Sequence, residues 1–570
     1  MQQHIDHDHQ DRFPTDPSGL PEASSHELLE LADGDTLNLR VGPVAKRLGD
    51  TTVRMLSYNG SIPGPRLKVQ QGSEIVVNVT NEGDLETTVH WHGLRLENKY
   101  DGVPHATQAP IPIGGSYSYR IQFPDPGLYW YHPHIREDYT QELGLYGNIV
   151  VVPAERGYWP PADRDFVLTL DDLLLQDGRI APFSRTETSY AAMGRFGNVF
   201  LVAGDPDLRL TAAAGEVVRF WLTNTASTRV FNVQLSGAQM KLVGGDGGRV
   251  EHEELIDQVL LSPSERAVVD VLVEQPGELT LQHHTPDQIY RLARIHVQDE
   301  PRRRSSAGTF FELRTAPELE SERQQLDQWL AAPPDKTLAL VAQMDDPTAM
   351  PESAGPVTYA CPMHPEVTSD QPGRCPKCGM KLLAVEPASQ PMANDHHAAT
   401  HDADAGMHHD EAVMHHHQAG MHHDMAMGKD SEVSWHGIEW EDDMVEVDRL
   451  STTATIHWRF LDRSAGIDST AIDWRFSVGQ RVKIRLINEM DSDHPMHHPF
   501  HLHGAGRFLV LARDGTVEPN LVWKDTVLIR TGQTVDILFD VSNPGLWMAH
   551  CHIAEHMQSG MMFSFTVSRR

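Results

Sequence analysis

Four histidine groups carry the chemistry that is readable first: His90-Trp91-His92-Gly93, His132-Pro133-His134, His498-Pro499-Phe500-His501-Leu502-His503-Gly504 and His550-Cys551-His552, the last followed by His556 and Met561. Two histidines at i and i+2 of a strand point to one face, so each pair can reach one metal cluster. A single pair of this kind is weak evidence; four in one chain are not. The last group is the most specific. A thiolate, two imidazoles and a distant thioether form the ligand set of a blue copper site, here Cys551, His556, His498 and, as the long axial ligand, Met561. That ligand chemistry disfavours the other reading of Cys551, an inert buried cysteine.

A second pattern lies at 359–382, YACPMHPEVTSDQPGRCPKCGMKL. Cys361, His364, Cys375 and Cys378 suit a tetrahedral zinc site of three thiolates and an imidazole. Met363 and Met380 add thioethers, which favour a soft ion such as Cu(I). From Met392 to Met427 runs a Met/His tract in which GMHHD occurs at 406–410 and again at 420–424. It reads either as a supply of soft and borderline ligands or as a low-complexity linker. With no apolar face to bury, it is expected to be disordered without metal. The four cysteines, Cys361, Cys375, Cys378 and Cys551, leave no evident disulfide framework, and the 34 histidines exceed what packing needs.

These ligands need a scaffold, and 570 residues are too many for one core, so three domains are expected. Short β-branched and aromatic runs recur between turn residues, with glycine (43) and proline (37) plentiful, the grammar of an all-β chain. GEVVRFWLTN (215–224) and GQRVKIRLIN (479–488) share the phrase G-x-x-V-x-x-x-x-x-N, which GSEIVVNVTN (72–81) echoes. This weak repeat fits triplication of one fold. The units expected are a flexible segment 1–30, domains at 31–157 and 158–300, a linker at 301–335 and a third domain at 336–570. A short connecting helix is read within 314–330, and KTLALVAQM (336–344) is read as the first strand of the third domain. An insertion within that domain then comprises the cysteine-rich module (357–386) and the tract (387–430).

The formal charge of −33 argues against nucleic acid or an anionic membrane as partner and for attraction of cations, or else reflects solubility or salt adaptation. No run of eighteen apolar residues occurs, so no membrane span is expected. MQQHIDHDHQDRFPTD has neither a basic nor an apolar region of a secretory signal, so the expectation is a periplasmic or extracellular mature chain, with a cytoplasmic one as the alternative.

With YNGSIPGP (58–65), DGVPHATQAPI (101–111), PGLYWYHPH (126–134), HPFHLHG (498–504) and the stretch from Lys524 to Met561, the chain resembles the three-domain multicopper oxidases, which include laccases and bacterial copper-efflux oxidases. The resemblance covers nearly everything outside the first thirty residues and the insertion. It implies three cupredoxin-like Greek-key β-barrels, four copper ions, and single-electron oxidation of a reductant coupled to reduction of O2 to water. It further implies that His90 and His501 hold a type 2 copper and that His92, His132, His134, His503, His550 and His552 hold a type 3 pair. Asp101 stands where the family places a carboxylate beside the cluster, implying a proton relay; the residues alone equally suit a turn Asp before Gly102. Several bacterial relatives carry a glutamate after the blue-copper histidine, where this chain has Met557, and Glu555 is no simple substitute. The segment 359–382 resembles the heavy-metal-binding domain attached to metal-efflux ATPases, with Cu(I) or zinc as its ion. The reductant implied is Cu(I) in copper tolerance, with phenols and aromatic amines as the laccase alternative and a copper-sequestering protein with a vestigial oxidase site as a further one.

Overall fold

A computed structural model describes residues 12–299, 305–344, 358–361, 364, 366–371, 373–377, 380–385 and 435–570. Met363, Cys378, the Met/His tract and residues 1–11 lie outside the described residues. The chain is mostly β, 49% strand and 8% helix, as expected.

Three two-sheet units share one strand plan. In each, a leading strand pairs in parallel with the strand of the repeated Gly/Asn phrase: Thr36–Leu48 with Glu74–Asn81, Arg164–Leu173 with Glu216–Asn224, and Lys336–Met344 with Arg481–Asn488. The phrase strand then pairs antiparallel with Ser116–Gln122, Arg266–Val273 or Thr534–Val541. The facing sheet of each unit carries at least one more parallel pair, such as Arg66–Gln70 with Gly147–Val152. Parallel neighbours demand a crossover, so the chain passes between sheets instead of meandering. The weak sequence repeat is therefore a repeat of topology. Alternation supplies the cores: in Glu74–Asn81 every second residue, from Ile75 to Asn81, is buried. Gly127–His132, by contrast, is buried along its whole length, as a strand covered on both faces must be.

The linker differs from expectation. Two short helices, Pro317–Arg323 and Asp327–Ala331, stand where one was read. Between them Gln325 and Leu326 donate to carbonyls three residues back, a tighter turn that breaks the α-helical ladder. Leu319 and Leu326 pack on Leu509, Leu511 and Leu538 of the third unit. The segment read as flexible is described from Arg12 onward. There Phe13 stacks on Tyr139 at 3.7 Å, and Leu28–Leu31 adds a strand beside Arg66–Gln70. The insertion leaves and rejoins the third unit between Lys336–Met344 and its antiparallel partner Ile456–Asp462; its strands Thr358–Ala360, Thr368–Ser369 and Leu383–Val385 form a small sheet.

Candidate metal centre

Strand alternation separates two sites. His498–Leu502 pairs with Gly545–Cys551, bringing Phe500 opposite Cys551 and His501 opposite His550. Because successive side chains take opposite faces, His498 and Cys551 turn into the core of the third unit. His501, His503, His550 and His552 turn the other way, toward the first unit, where His90 is the direct cross-strand partner of His132.

On the inner face, Cys551 Sγ lies 3.5 Å from His498 Nδ1 and 3.9 Å from His556 Nδ1, and the two nitrogens are 3.3 Å apart. Met561 is buried, its backbone N–H donating to His556 O and its carbonyl accepting the Cys551 N–H at 3.0 Å. Burial pushes the Cys551 thiol up, so a thiolate there requires a cation beside it. Trp458, absent from the sequence reading, stacks on His556 at 3.9 Å and meets His498 edge-on. Its Nε1 donates to Ala191 O at 2.7 Å, which fixes the ring.

The outer face gathers all eight remaining predicted histidines into one buried cluster. His134, His503 and His550 converge, with His503 Nε2 at 3.3 Å from His134 Nε2 and 3.1 Å from His550 Nε2. Their tautomers are set from behind. His503 Nδ1 donates to Asp101 Oδ2 at 2.7 Å and His550 Nδ1 to Cys551 O at 2.9 Å, while His134 Nδ1 lies 3.2 Å from Glu137. Each facing Nε2 is then a lone pair, and lone pairs aimed at one another repel unless a cation lies between them. Likewise His90 and His501 donate through Nδ1 to the carbonyls of Asp101 and Asp525, leaving each Nε2 buried and unpartnered. His92 is reversed: Nε2 faces Asp525 Oδ1 at 2.9 Å and Nδ1 is the orphan. His132 and His552 complete the cluster, their rings 5.1 Å apart and their Nε2 atoms unpartnered. Burial, then the neighbouring imidazoles, holds His92, His132, His134 and His550 well below the usual histidine range. Neutral imidazole lone pairs in this number, with a thiolate set next door, fit copper.

The turn reading of Asp101 fits the structure, and the turn also decides where the carboxylate stands. Gly102 has φ of +84°, and a side chain there would strike the Val89 carbonyl, so the Asp-Gly turn is obligatory. That turn also places the carboxylate against His503. Burial works to raise Asp101, but the neighbouring imidazoles of His503 and His90, with the hydrogen bond from His503 Nδ1, outweigh it and hold the carboxyl low. Three further residues escaped the sequence reading. Glu137 backs His134; Asp525 backs His92 and His501; and Arg266 of the second unit grips Asp525 with two hydrogen bonds, 2.7 and 2.5 Å. Asp525 sits within the KDTVLIRTGQ text, but nothing in that text signals its reach. Glu555 is buried and pushed up to about 8, mainly by that burial.

In the inserted module, His364 Nδ1 lies 3.8 Å from Cys361 Sγ and 3.6 Å from Cys375 Sγ, and Met380 is buried among the same residues. The predicted Cys378 and Met363 lie outside the described residues. The module docks on the loop before His498. Arg374 reaches Ser492 O, Asp491 at 3.2 Å and Asp493 at 3.4 Å, and Lys381 donates through its backbone N–H to Asp493 O at 2.9 Å.

Sequence profiles described as multicopper oxidase match residues 43–156 and 444–570, and one described as a heavy metal binding domain matches 358–385. The chain belongs to the multicopper oxidase family, with a heavy-metal-binding domain inserted between the two stretches that match the oxidase profiles; it is an O2-reducing oxidoreductase, and copper is its implied cofactor. It is 26% identical over 557 residues to multicopper oxidase MmcO of Mycobacterium tuberculosis, covering 92% of this chain and 86% of that one. Among solved structures it resembles a Campylobacter jejuni multicopper oxidase described as a metallo-oxidase, with a TM-score of 0.60, 20% identity and coverage of 98% and 99%. It also resembles a laccase-like oxidase from Ochrobactrum, with a TM-score of 0.62, 20% identity and coverage of 96% and 100%. Among the described residues no helix is long and apolar enough to cross a membrane.

Proposed function

We propose that this oxidase takes its electrons from Cu(I) and serves copper tolerance. Cys551, His498, His556 and Met561 would hold the type 1 copper, His90 and His501 the type 2 copper, and His92, His132, His134, His503, His550 and His552 the type 3 pair. Copper so bound would accept single electrons beside Cys551 and reduce O2 at the histidine cluster. The protein's part is positional. Cys551 joins the two sites through its chain neighbours His550 and His552, Trp458 walls the inner site, and Asp101 orients His503 and is assigned the proton relay.

The observation that carries the Cu(I) reading is where the insertion is anchored. Arg374 and Lys381 fix the module to residues 491–493, five to seven residues before His498. On the far side of the tract, the backbone N–H of Glu439 donates to His497 Nδ1 at 3.1 Å, next to that same ligand. Both flanks of a Met/His-rich segment thus attach to the stretch of chain that leads into His498. Soft ligands pass Cu(I) readily, whereas a bulky phenol needs an open approach. Deleting 357–427 is expected to lower Cu(I) oxidation at low copper and to leave phenol oxidation unchanged or faster. Steady-state kinetics with both reductants check this, and untouched Cu(I) kinetics with slower phenol oxidation would favour the laccase reading.

A further inference from the structure

Where the three units meet, a group of buried acids is left unused by the copper sites. The helix Glu137–Thr140 packs against the helix Ala554–Gln558. Just past the first of these, Glu142 is 2% exposed, and neither of its carboxyl oxygens has a hydrogen-bond partner. The charged groups facing it are Asp171 and Asp172 on Arg164–Leu173, Arg195, and Glu555 on the second helix. Asp172 is claimed by Arg229 at 2.6 Å. Asp171 accepts the Asp172 N–H at 2.9 Å and faces the Tyr146 hydroxyl. Gln141 Oε1, Thr169 Oγ1 and Ser227 Oγ, on the segments that build this junction, are also buried and unpartnered.

An ionised carboxylate without donors is expensive to bury, and an apolar side chain of similar size would be more stable at position 142. Burial, then Asp171 and Asp172, raise Glu142 well above the ordinary carboxylate range, so it carries its proton. Orphaned polar atoms in this number are met by internal water. The same stretch of chain reaches the cluster: the backbone N–H of Glu142 donates to Glu137 O at 3.4 Å, and the Glu137 carboxylate lies 3.2 Å from His134 Nδ1. We propose that Glu142, with Asp171 behind it, relays protons from this three-way junction toward the histidine cluster that reduces O2. The balance is O2 + 4 e− + 4 H+ → 2 H2O, with electrons from the reductant and protons from solvent. At each transfer the Glu142 carboxyl would give one proton toward the cluster and take one back from solvent, so it ends unchanged.

The test uses the copper-loaded full chain. Glu142→Gln keeps the shape and removes the exchangeable carboxyl. Copper content, the blue absorbance and the anaerobic reduction rate of the blue site are expected to match the parent. O2 consumption should fall on the order of 10²-fold, with a larger solvent isotope effect in D2O and a shifted pH profile, and Glu142→Asp should recover part of the rate and the parental isotope effect. An unchanged copper-normalised rate with the parental pH profile and isotope effect overturns the relay. So does loss of copper or of folding in Glu142→Gln, because the residue would then be structural.

Discussion

The second and third units share a strand plan and both bury histidine, yet among the described residues only the third gathers a histidine cluster with the first. His283, on Gly277–His284 of the second unit, is 0% exposed with an unpartnered Nε2, the same description that fits His501. Its surroundings are different in kind. Phe231, Tyr290 and Trp440 ring it, and its Nδ1 accepts the Asn232 N–H at 3.1 Å. Burial therefore does not make a ligand; convergence of lone pairs whose tautomers are fixed from behind does. What the second unit gives the centre is a charge, Arg266, and not a donor atom.

The sharpest break of this comparison removes the inner thiolate. Cys551→Ser is expected to abolish both the blue absorbance and turnover, and an undiminished blue band would refute the ligand assignment. His552→Ala separates the two faces of the third unit. The blue site should still accept an electron, because Cys551 remains, while O2 consumption stops; full O2 consumption would remove His552 from the cluster.

A smaller effect tests the second unit's contribution. Arg266→Met leaves Asp525 buried without its bidentate partner, and breaking a buried pair from one side costs about 3–5 kcal/mol. Denaturant midpoints should fall accordingly, and copper should be lost from the histidine cluster before the blue absorbance fades, since Asp525 backs His92 and His501 but no ligand of the inner site. Simultaneous loss from both sites would show that the first and third units do not need this brace.

The clustering histidines and Cys551 are legible in the sequence and their supports are not, for one reason. Alternation with period 2 is local, so His550-Cys551-His552 announces from sequence that its middle residue and its flanks face different sites. The repeated phrase announced the triplication in the same local way. Arg266 and Asp525, 259 residues apart, and Arg374 and Asp493, 119 apart, meet only because sheets pack, and neither pair has a local signature. The linker shows the reverse failure. The spacing of Leu319, Leu326 and Leu330 is helical across 314–330, but the chain tightens at Gln325 and Leu326 and periodicity could not register the break.

The smallest expected effect asks whether His283 is a core residue as described. Burial, then the charge of Arg229, lowers its imidazole to about 3, against about 6.5 in an unfolded chain. The fold thus prefers the neutral ring. Its contribution is fully present above about pH 6.5 and is lost as pH falls toward the folded value, because the unfolded chain binds the extra proton first. In His283→Gln, the difference in stability from the parent should change with pH only inside that window, at up to about 1.4 kcal/mol per pH unit. Urea titrations of the two proteins at matched pH measure this, and metal analysis should find equal copper in both. A copper deficit in the variant would make His283 a ligand and erase the distinction between the units, whereas a pH-independent difference would mean that the ring is already charged in the fold.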